Sequence, residues 1–158
     1  MSGRRAKPGE YPNLRLSDIV AGGSLALWRN PAEKPFGDQD AWTLTADWSM
    51  PEDIDEAYRN LEAEESKLAA ANTFAWDSDF GYLSPIPAHC GTALCIEGEF
   101  HLEALHLIGD LPPVLNALEA VRFQSSSIVE DGIRQAAHIF RIRNTATLGI
   151  AERELLKR

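Results

Sequence analysis

Residues 80–102 read FGYLSPIPAHCGTALCIEGEFHL, and the second half of this stretch decides the fold. From position 94 onward, apolar and polar residues alternate. One side of the alternation comprises Leu94, Ile96, Phe100 and Leu102. The other side comprises Cys95, Glu97, Glu99 and His101. Because successive side chains of a strand point to opposite faces, this pattern predicts a β-strand with one buried face.

A helix is predicted just upstream of this strand. Ser49 followed by Glu52 has the spacing of a capping box, and Pro51 suits the first helical turn. The apolar stripe of this helix comprises Ile54, Tyr58, Leu61 and Leu68. Its period is helical, so the stripe is expected to pack against the sheet.

Further strands and short helices are predicted downstream. Asp110 is expected to cap a short helix. Residues 121–129 and 135–143 predict two more strands, paired around Asp131 and Gly132. A last short helix is predicted over residues 150–158. The sequence therefore indicates an α+β protein, in which helices pack on one face of an antiparallel sheet.

The domain organisation follows from composition. Residues 1–16 are predicted to be a flexible arm, and residues 17–158 a single domain. The segment 31–48 contains prolines and two tryptophans, and it is interpreted as irregular chain tucked under the domain. A chain of 158 residues, 44% of them hydrophobic, is long enough to form one domain with a single hydrophobic core.

Charge and cysteine content restrict partners and location. The formal net charge of −9 disfavours nucleic acids and anionic lipid surfaces as partners. No apolar run reaches the roughly 18 residues that a membrane-spanning helix needs, and no signal core follows the basic N-terminus. The two cysteines are expected to be free thiols, and the cytoplasm is the expected location.

The stretch 80–102 resembles the signature of the ATP:guanido phosphotransferases, the phosphagen and protein-arginine kinases. That signature reads roughly [FY]-G-Y-L-T-x-C-P-T-N-x-G-T-x-x-R-A-S, followed in the arginine kinases by H-L-P-A-L. The matching positions are Gly81-Tyr82-Leu83, Pro87, Gly91-Thr92 and His101-Leu102-Glu103-Ala104-Leu105. The resemblance implies a reduced guanido-kinase catalytic domain, of the glutamine-synthetase-like type.

Two other blocks extend the resemblance. Residues 138–149 are similar to the family's N-I-F-x-I-S-N-x-x-T-L-G. Residues 17–30 are more faintly similar to its S-D-I-V-x-S-S-R-I-R-L-A-R-N. The chain between residues 31 and 72 is too short to hold the N-E-E-D-H segment, which in the family carries the catalytic glutamate.

The resemblance also shows which family residues this chain lacks. The positions of four family arginines are occupied by Ser24, Ala26, Cys95 and Ser126. The signature cysteine falls on Ile86 and the signature asparagine on His89, whereas the acid after V-R-G falls near Asp131. Phosphoryl transfer depends on cationic clamps and Mg²⁺, so these losses predict a chain without catalytic residues.

The resemblance implies that only a degenerate nucleotide site remains in this chain. Arg29 matches a family arginine that is less directly tied to phosphate. Arg122 lies four positions before Ser126, and a small shift of register would bring it back to the expected place. The predicted remnant of the nucleotide site is therefore Arg122, Arg29 and Ser126.

Three functions remain open. The leading hypothesis is a catalytically degenerate, non-catalytic binding or regulatory module that needs no cofactor. The alternative is a residual ATP- and Mg²⁺-dependent phosphotransferase with a phosphate site rebuilt from Arg122, Arg134, Arg141 and Arg143. The third is a small-molecule sensor, which a closed apolar pocket beside Cys95 and His101 would favour.

The predicted substrate or partner surface comprises Cys95, Glu97, Glu99, His101, His89 and Asp131. By family analogy its partner is a protein, such as an active arginine kinase or that kinase's substrates. The spacing of the cysteines disfavours a zinc site, and nothing indicates a Cys–His nucleophile. Self-association is also expected, because a shortened sheet must cover or pair its new edge.

Overall fold

Five antiparallel strands form the main sheet of the computed structural model, in which we describe residues 19–37, 41–128 and 138–157. The strands are β1 (Val20–Arg29), β2 (Trp42–Trp48), β5 (Leu94–His101), β6 (Phe123–Ser127) and β7 (Ile139–Asn144). Their order is β2-β1-β5-β7-β6. Two short strands, β3 (Trp76–Asp77) and β4 (Gly81–Tyr82), pair separately.

The helices are α1 (Ile54–Ala69), α2 (Glu103–Ile108), α3 (Leu111–Ala120) and α4 (Glu152–Leu155). Single 3₁₀ turns lie at Pro51–Asp53 and Pro87–His89. The predicted α+β architecture is confirmed. None of the described helices is long and apolar enough to cross a membrane.

The register of the central strands separates an apolar face from a polar one. Leu25 and Leu27 of β1 pair with Ile96 and Leu94 of β5. Alternate positions of both strands therefore face the same side, which helix α1 covers. The buried cluster on that side comprises Val20, Leu25, Leu27, Trp48, Ala57, Tyr58, Leu61, Leu94 and Leu155. The predicted buried face of the strand at 94–102 and the predicted stripe of α1 both contribute to it.

The start of α1 differs in detail from the prediction. The carboxylate of Asp53, rather than that of Glu52, accepts a hydrogen bond from the backbone N–H of Met50 at 3.0 Å. Pro51 occupies the first position of the turn, as predicted. The predicted Ser49–Glu52 box is thus wrong by one residue, because a 3₁₀ turn precedes the α-helix.

The interpretation of residues 31–48 as irregular is wrong for its second half, which forms β2. The exposed residues Thr43, Thr45 and Asp47 alternate there with more buried ones, so a period of two was present in the sequence. The prolines and glycine just upstream concealed it. Helix α2 was not predicted either. The predicted arm at 1–16 and the predicted turn at Asp131 lie outside the described residues.

Candidate functional site

The polar face of the sheet collects most of the residues that the sequence singled out. We call it the open face, and it comprises Ser24, Ala26, Cys95, Glu97, Glu99, Gln124, Ser126, Arg141 and Arg143. Its first row runs across four strands, since Ser24 pairs with Glu97, Glu97 with Arg143, and Arg143 with Gln124. In the next row Glu99 pairs with Arg141, and Arg141 with Ser126. The positions of the four missing arginines therefore converge on one surface.

Arg141 is held by two carboxylates on this face. Its Nε atom lies 3.1 Å from Oε1 of Glu97, and its Nη2 atom lies 2.8 Å from Oε1 of Glu99. The hydrogen bond to Glu99 and the charge of Glu97 raise the pKa of Arg141 further above its usual value. The positive charge of Arg141 is thus already compensated within the chain.

Arg143 has a different environment, although it lies only two residues further along β7. Its Nη2 atom donates to Oε1 of Gln124 at 3.2 Å. It forms no ion pair within 4.0 Å with any carboxylate in the described part of the chain, although Glu97 lies opposite it on β5 and is paired with Arg141. Arg143 is also exposed, so its remaining N–H donors can meet a ligand.

A cavity of about 400 Å³ opens beside Arg143. Its lining comprises Trp28, Ile86, His89, Cys95, Gln124, Arg143, Asn144, Thr145 and Thr147. The rings of Trp28 and His89 stack with centroids 3.7 Å apart and an interplanar angle of 4°. Burial, and then the charge of Arg143, lower the pKa of His89, so its ring is neutral at physiological pH.

The thiol of Cys95 in this cavity is a poor nucleophile. Burial, reinforced by the charge of Glu97, raises its pKa to about 11, and Arg143 opposes this only in part. A thiol with so high a pKa stays protonated at neutral pH. Within residues 19–37, 41–128 and 138–157, moreover, no cluster of His, Cys, Asp and Glu could hold a metal ion.

Arg29 does not belong to this surface, and its assignment to a nucleotide site needs correction. Its side chain is fully buried on the opposite face of the sheet, because it follows Leu25 and Leu27 in the alternation of β1. Its Nε atom donates to Oε1 of Glu65 at 2.5 Å. Its Nη2 atom lies 3.6 Å from Glu152, and its guanidinium lies 3.5 Å above the ring of Tyr82.

The other predicted residues take separate positions. Arg122 lies in the turn before β6 with a φ of 67°, and its carbonyl accepts hydrogen bonds from the N–H and hydroxyl of Thr145. His101 is exposed at the end of β5 and does not line the cavity. Ser126 is exposed on β6, where it belongs to the open face and lies opposite Arg141. Asp131 and Arg134 lie outside the described residues.

Two functional candidates were missed at the sequence level, namely Trp28 and Gln124. Trp28 precedes Arg29 on β1. Positions 24, 26 and 28 alternate along β1, so Trp28 lies on the same face as Ser24 and Ala26. This alternation could have indicated Trp28 from the sequence. Gln124 carried no recognisable signal, since its role depends on its pairing with Arg143.

Comparison with known proteins defines the class. Residues 48–158 match the family described as "ATP:guanido phosphotransferase, C-terminal catalytic domain". The chain belongs to this family.

Among its curated relatives are protein-arginine kinases. The enzyme of Moorella thermoacetica is 34% identical over 103 residues, which is 65% of this chain and 29% of the relative. The enzyme of Clostridium acetobutylicum is 27% identical over 103 residues, 65% of this chain and 30% of the relative. The chain thus spans about 30% of the length of these relatives.

Solved structures confirm the fold. The substrate-free duplicated taurocyamine kinase from Schistosoma mansoni covers 92% of this chain with a TM-score of 0.64 and 11% identity, over 33% of its own chain. A lombricine kinase covers 75% with a TM-score of 0.55 and 19% identity, over 32% of its own chain. The predicted guanido-kinase type of fold is therefore confirmed.

Proposed function

We propose that this chain is a non-catalytic binding or regulatory module built on the guanido-kinase fold. The observation that carries the proposal is the composition of the open face. Where the resemblance expects arginines, this face has Ser24, Ala26, Cys95 and Ser126. An anionic phosphate chain needs several cations to neutralise it, and this surface offers few.

The charges that remain on the face support the same proposal. Arg141 is already paired with Glu97 and Glu99, and those two carboxylates would repel a phosphate group. Arg29 is buried in a separate network and cannot reach this surface without unfolding its surroundings. The protein as a whole carries a formal net charge of −9.

Two measurements test this proposal. Calorimetric titration with Mg²⁺-ATP and with ADP is expected to give no binding at millimolar nucleotide. A phosphoryl-transfer assay with free arginine and with arginine-containing proteins is expected to give no product, with the Moorella thermoacetica protein-arginine kinase as the active control. Micromolar nucleotide binding or arginine phosphorylation would refute the proposal.

The alternative is a residual ATP-dependent phosphotransferase with a rebuilt phosphate site. The observation that favours it is the position of Arg141 and Arg143, two residues apart on one strand and on the same face. The same assay decides between the two functions. Product that disappears in both Arg141→Gln and Arg143→Gln would establish the alternative.

The proposed partner is a protein, such as an active arginine kinase or one of its substrates. A groove lined by Trp76, Phe80 and Leu148 offers a surface for it, since these side chains are 61%, 56% and 50% exposed. Self-association is proposed as well, because β2 and β6 are edges of the five-stranded sheet. Light scattering of the purified protein and co-purification with an arginine kinase test these two points.

We also propose a cytoplasmic location. Cys90 and Cys95 are both free thiols, as expected in a reducing compartment. Fractionation of cells that express the protein tests this assignment, and recovery of the protein from an extracytoplasmic fraction would refute it.

A further inference from the structure

The cavity beside Arg143 has the composition of a ligand site. Its lining suits a ligand other than a nucleoside triphosphate. Part of its lining is the stacked pair of Trp28 and His89. The lining also contains the guanidinium of Arg143 and the amide of Gln124. Ligand pockets in proteins are mostly apolar with a few placed polar groups, and this cavity fits that description.

We propose that this cavity binds a small planar organic anion, with the ring of the ligand in contact with the stacked pair of Trp28 and His89 and its carboxylate on Arg143. The proposal extends the proposed function by assigning a ligand class to part of the open face. It rests on the geometry of the cavity rather than on the absence of phosphoryl transfer, so the two can fail independently.

The polar atoms of the lining show where the ligand's charge must sit. The amide of Asn144 is engaged by the backbone, since it accepts from Ile96 N–H and donates to the carbonyl of Leu94. The hydroxyl of Thr145 donates to the carbonyl of Arg122. Arg143 is therefore the cationic donor of the lining that has no carboxylate partner among the described residues.

The hydrogen bond from Arg143 to Gln124 prepares the site. It orients the guanidinium through one Nη atom and leaves the other donors of the fork available. An ordered guanidinium loses less freedom when it binds a carboxylate, and a bidentate contact of this kind is strong and geometrically selective.

The size and charge of the cavity exclude larger and more highly charged ligands. A volume of about 400 Å³ is at the lower end of the range for small-molecule pockets. It admits one or two fused rings with a carboxylate. A single unpaired arginine balances one negative charge, whereas Glu97 on the same face disfavours additional ones.

Indole-3-carboxylate is the probe that matches these properties. The test follows the indole N–H signals of the four tryptophans in nitrogen–proton correlation spectra while the probe is added to the full chain. We expect the Trp28 signal to shift, whereas the signal of Trp76, which lines a different groove, stays in place. No shift at Trp28 at millimolar probe would overturn the proposal.

Two comparisons establish the role of the charge. Indole-3-carboxamide, which has the same shape without the charge, and the variant Arg143→Gln are each expected to weaken binding about tenfold or more. Arg59→Gln makes the same change in net charge on α1, away from the cavity, and is expected to leave affinity within about twofold. Equal affinity of wild type and Arg143→Gln would refute the site, and so would an equal loss in Arg59→Gln.

The outcome is independent of the assays for phosphoryl transfer. Arginine phosphorylation by the chain would refute the proposed non-catalytic function, whereas failure of the indole-3-carboxylate titration would refute this ligand site. Because Arg143 is exposed, its substitution is expected to leave the fold intact, and the far-ultraviolet circular dichroism of each variant checks this.

Discussion

Arg29 donates from its Nε atom to the carboxylate of Glu65 at 2.5 Å, and this contact joins strand β1 to helix α1. The guanidinium is fully buried, whereas the side chain of Glu65 is 19% exposed. Tyr82 donates a second hydrogen bond to the same carboxylate oxygen at 3.1 Å. A buried cation with this many partners is a structural element of the fold rather than a ligand contact.

Removal of Glu65 is expected to destabilise the protein by about 3 kcal/mol, because the buried guanidinium of Arg29 loses its closer carboxylate and keeps only Glu152, at 3.6 Å, among the described residues. Urea denaturation of Glu65→Ala measures the loss. Glu64→Ala on the same helix is the matched control, since Glu64 is exposed and makes an exposed pair with Lys67. Its effect should stay below about 1 kcal/mol. If both variants lost the same free energy of unfolding, the contact between Arg29 and Glu65 would contribute no more to stability than an exposed ion pair.

Loss of the Asn144 amide is expected to destabilise the protein by about 2–3 kcal/mol. The buried side chain accepts from Ile96 N–H at 2.7 Å and donates to the carbonyl of Leu94 at 3.0 Å, so Asn144→Ala leaves both backbone groups unsatisfied. Thermal and urea denaturation measure the change. Gln124→Ala, an exposed amide on the neighbouring strand, should change stability by less than about 0.5 kcal/mol.

Neutralising the two carboxylates on the open face is expected to create affinity for phosphate groups. Glu97→Gln/Glu99→Gln removes two negative charges and releases Arg141 beside Arg143. Binding of ADP, which we expect to be absent in the wild type at millimolar concentration, should become measurable in that range, because a charge-assisted contact is gained. Calorimetry compares this variant with wild type and with a control.

The control for this experiment is Glu56→Gln/Glu64→Gln, which makes the same change in net charge on exposed positions of α1. A gain of the same size in this control would show that only the overall charge matters. No gain in Glu97→Gln/Glu99→Gln would show that carboxylate pairing is not what keeps phosphate away from the face.

Cys95 makes stability depend on pH in the alkaline range. In the folded protein its pKa is raised to about 11, whereas the ordinary value is 9.0. The unfolded chain therefore loses this proton first, and folding stability falls as the pH rises from about 9 to about 11. Two pKa units correspond to roughly 2–3 kcal/mol.

Urea denaturation between pH 8 and pH 11 tests this prediction. The difference in stability between wild type and Cys95→Ala should shift in favour of the variant as the pH rises. Taking the difference cancels the contributions of Tyr58 and Tyr82, whose pKa values burial also raises. A difference that stays constant over the whole range would contradict the raised pKa of Cys95.

Local patterns were sufficient for the strand at 94–102 and the stripe of α1, because burial there follows the period of each element. The convergence of Ser24, Cys95 and Ser126 could be expected only through the family resemblance, since no local signal joins β1, β5 and β6. The role of Arg29 could not be predicted, because Glu65, Tyr82 and Glu152 reach it from three separate elements.

The cavity was also beyond prediction from sequence. Its aromatic wall depends on a ring stack between β1 and the turn at Pro87–His89, which are far apart in sequence. The sensor hypothesis would be favoured by a closed apolar pocket beside Cys95 and His101, whereas the cavity is lined by Cys95 and not by His101. The alternation of residues along a strand predicts the face of the sheet on which each side chain lies. Which of these side chains line a cavity depends on contacts with loops, which the alternation does not predict.

The two faces of the sheet use different side chains, and this separation has an evolutionary consequence. The buried cluster draws on Leu25, Leu27 and Leu94, whereas the open face is built from their neighbours in the alternation. Substitutions on the solvent side therefore have small effects on folding. The side chains of the open face can therefore be replaced one at a time during evolution while the protein remains folded. The same tolerance allows protein design to introduce a new binding specificity on this face.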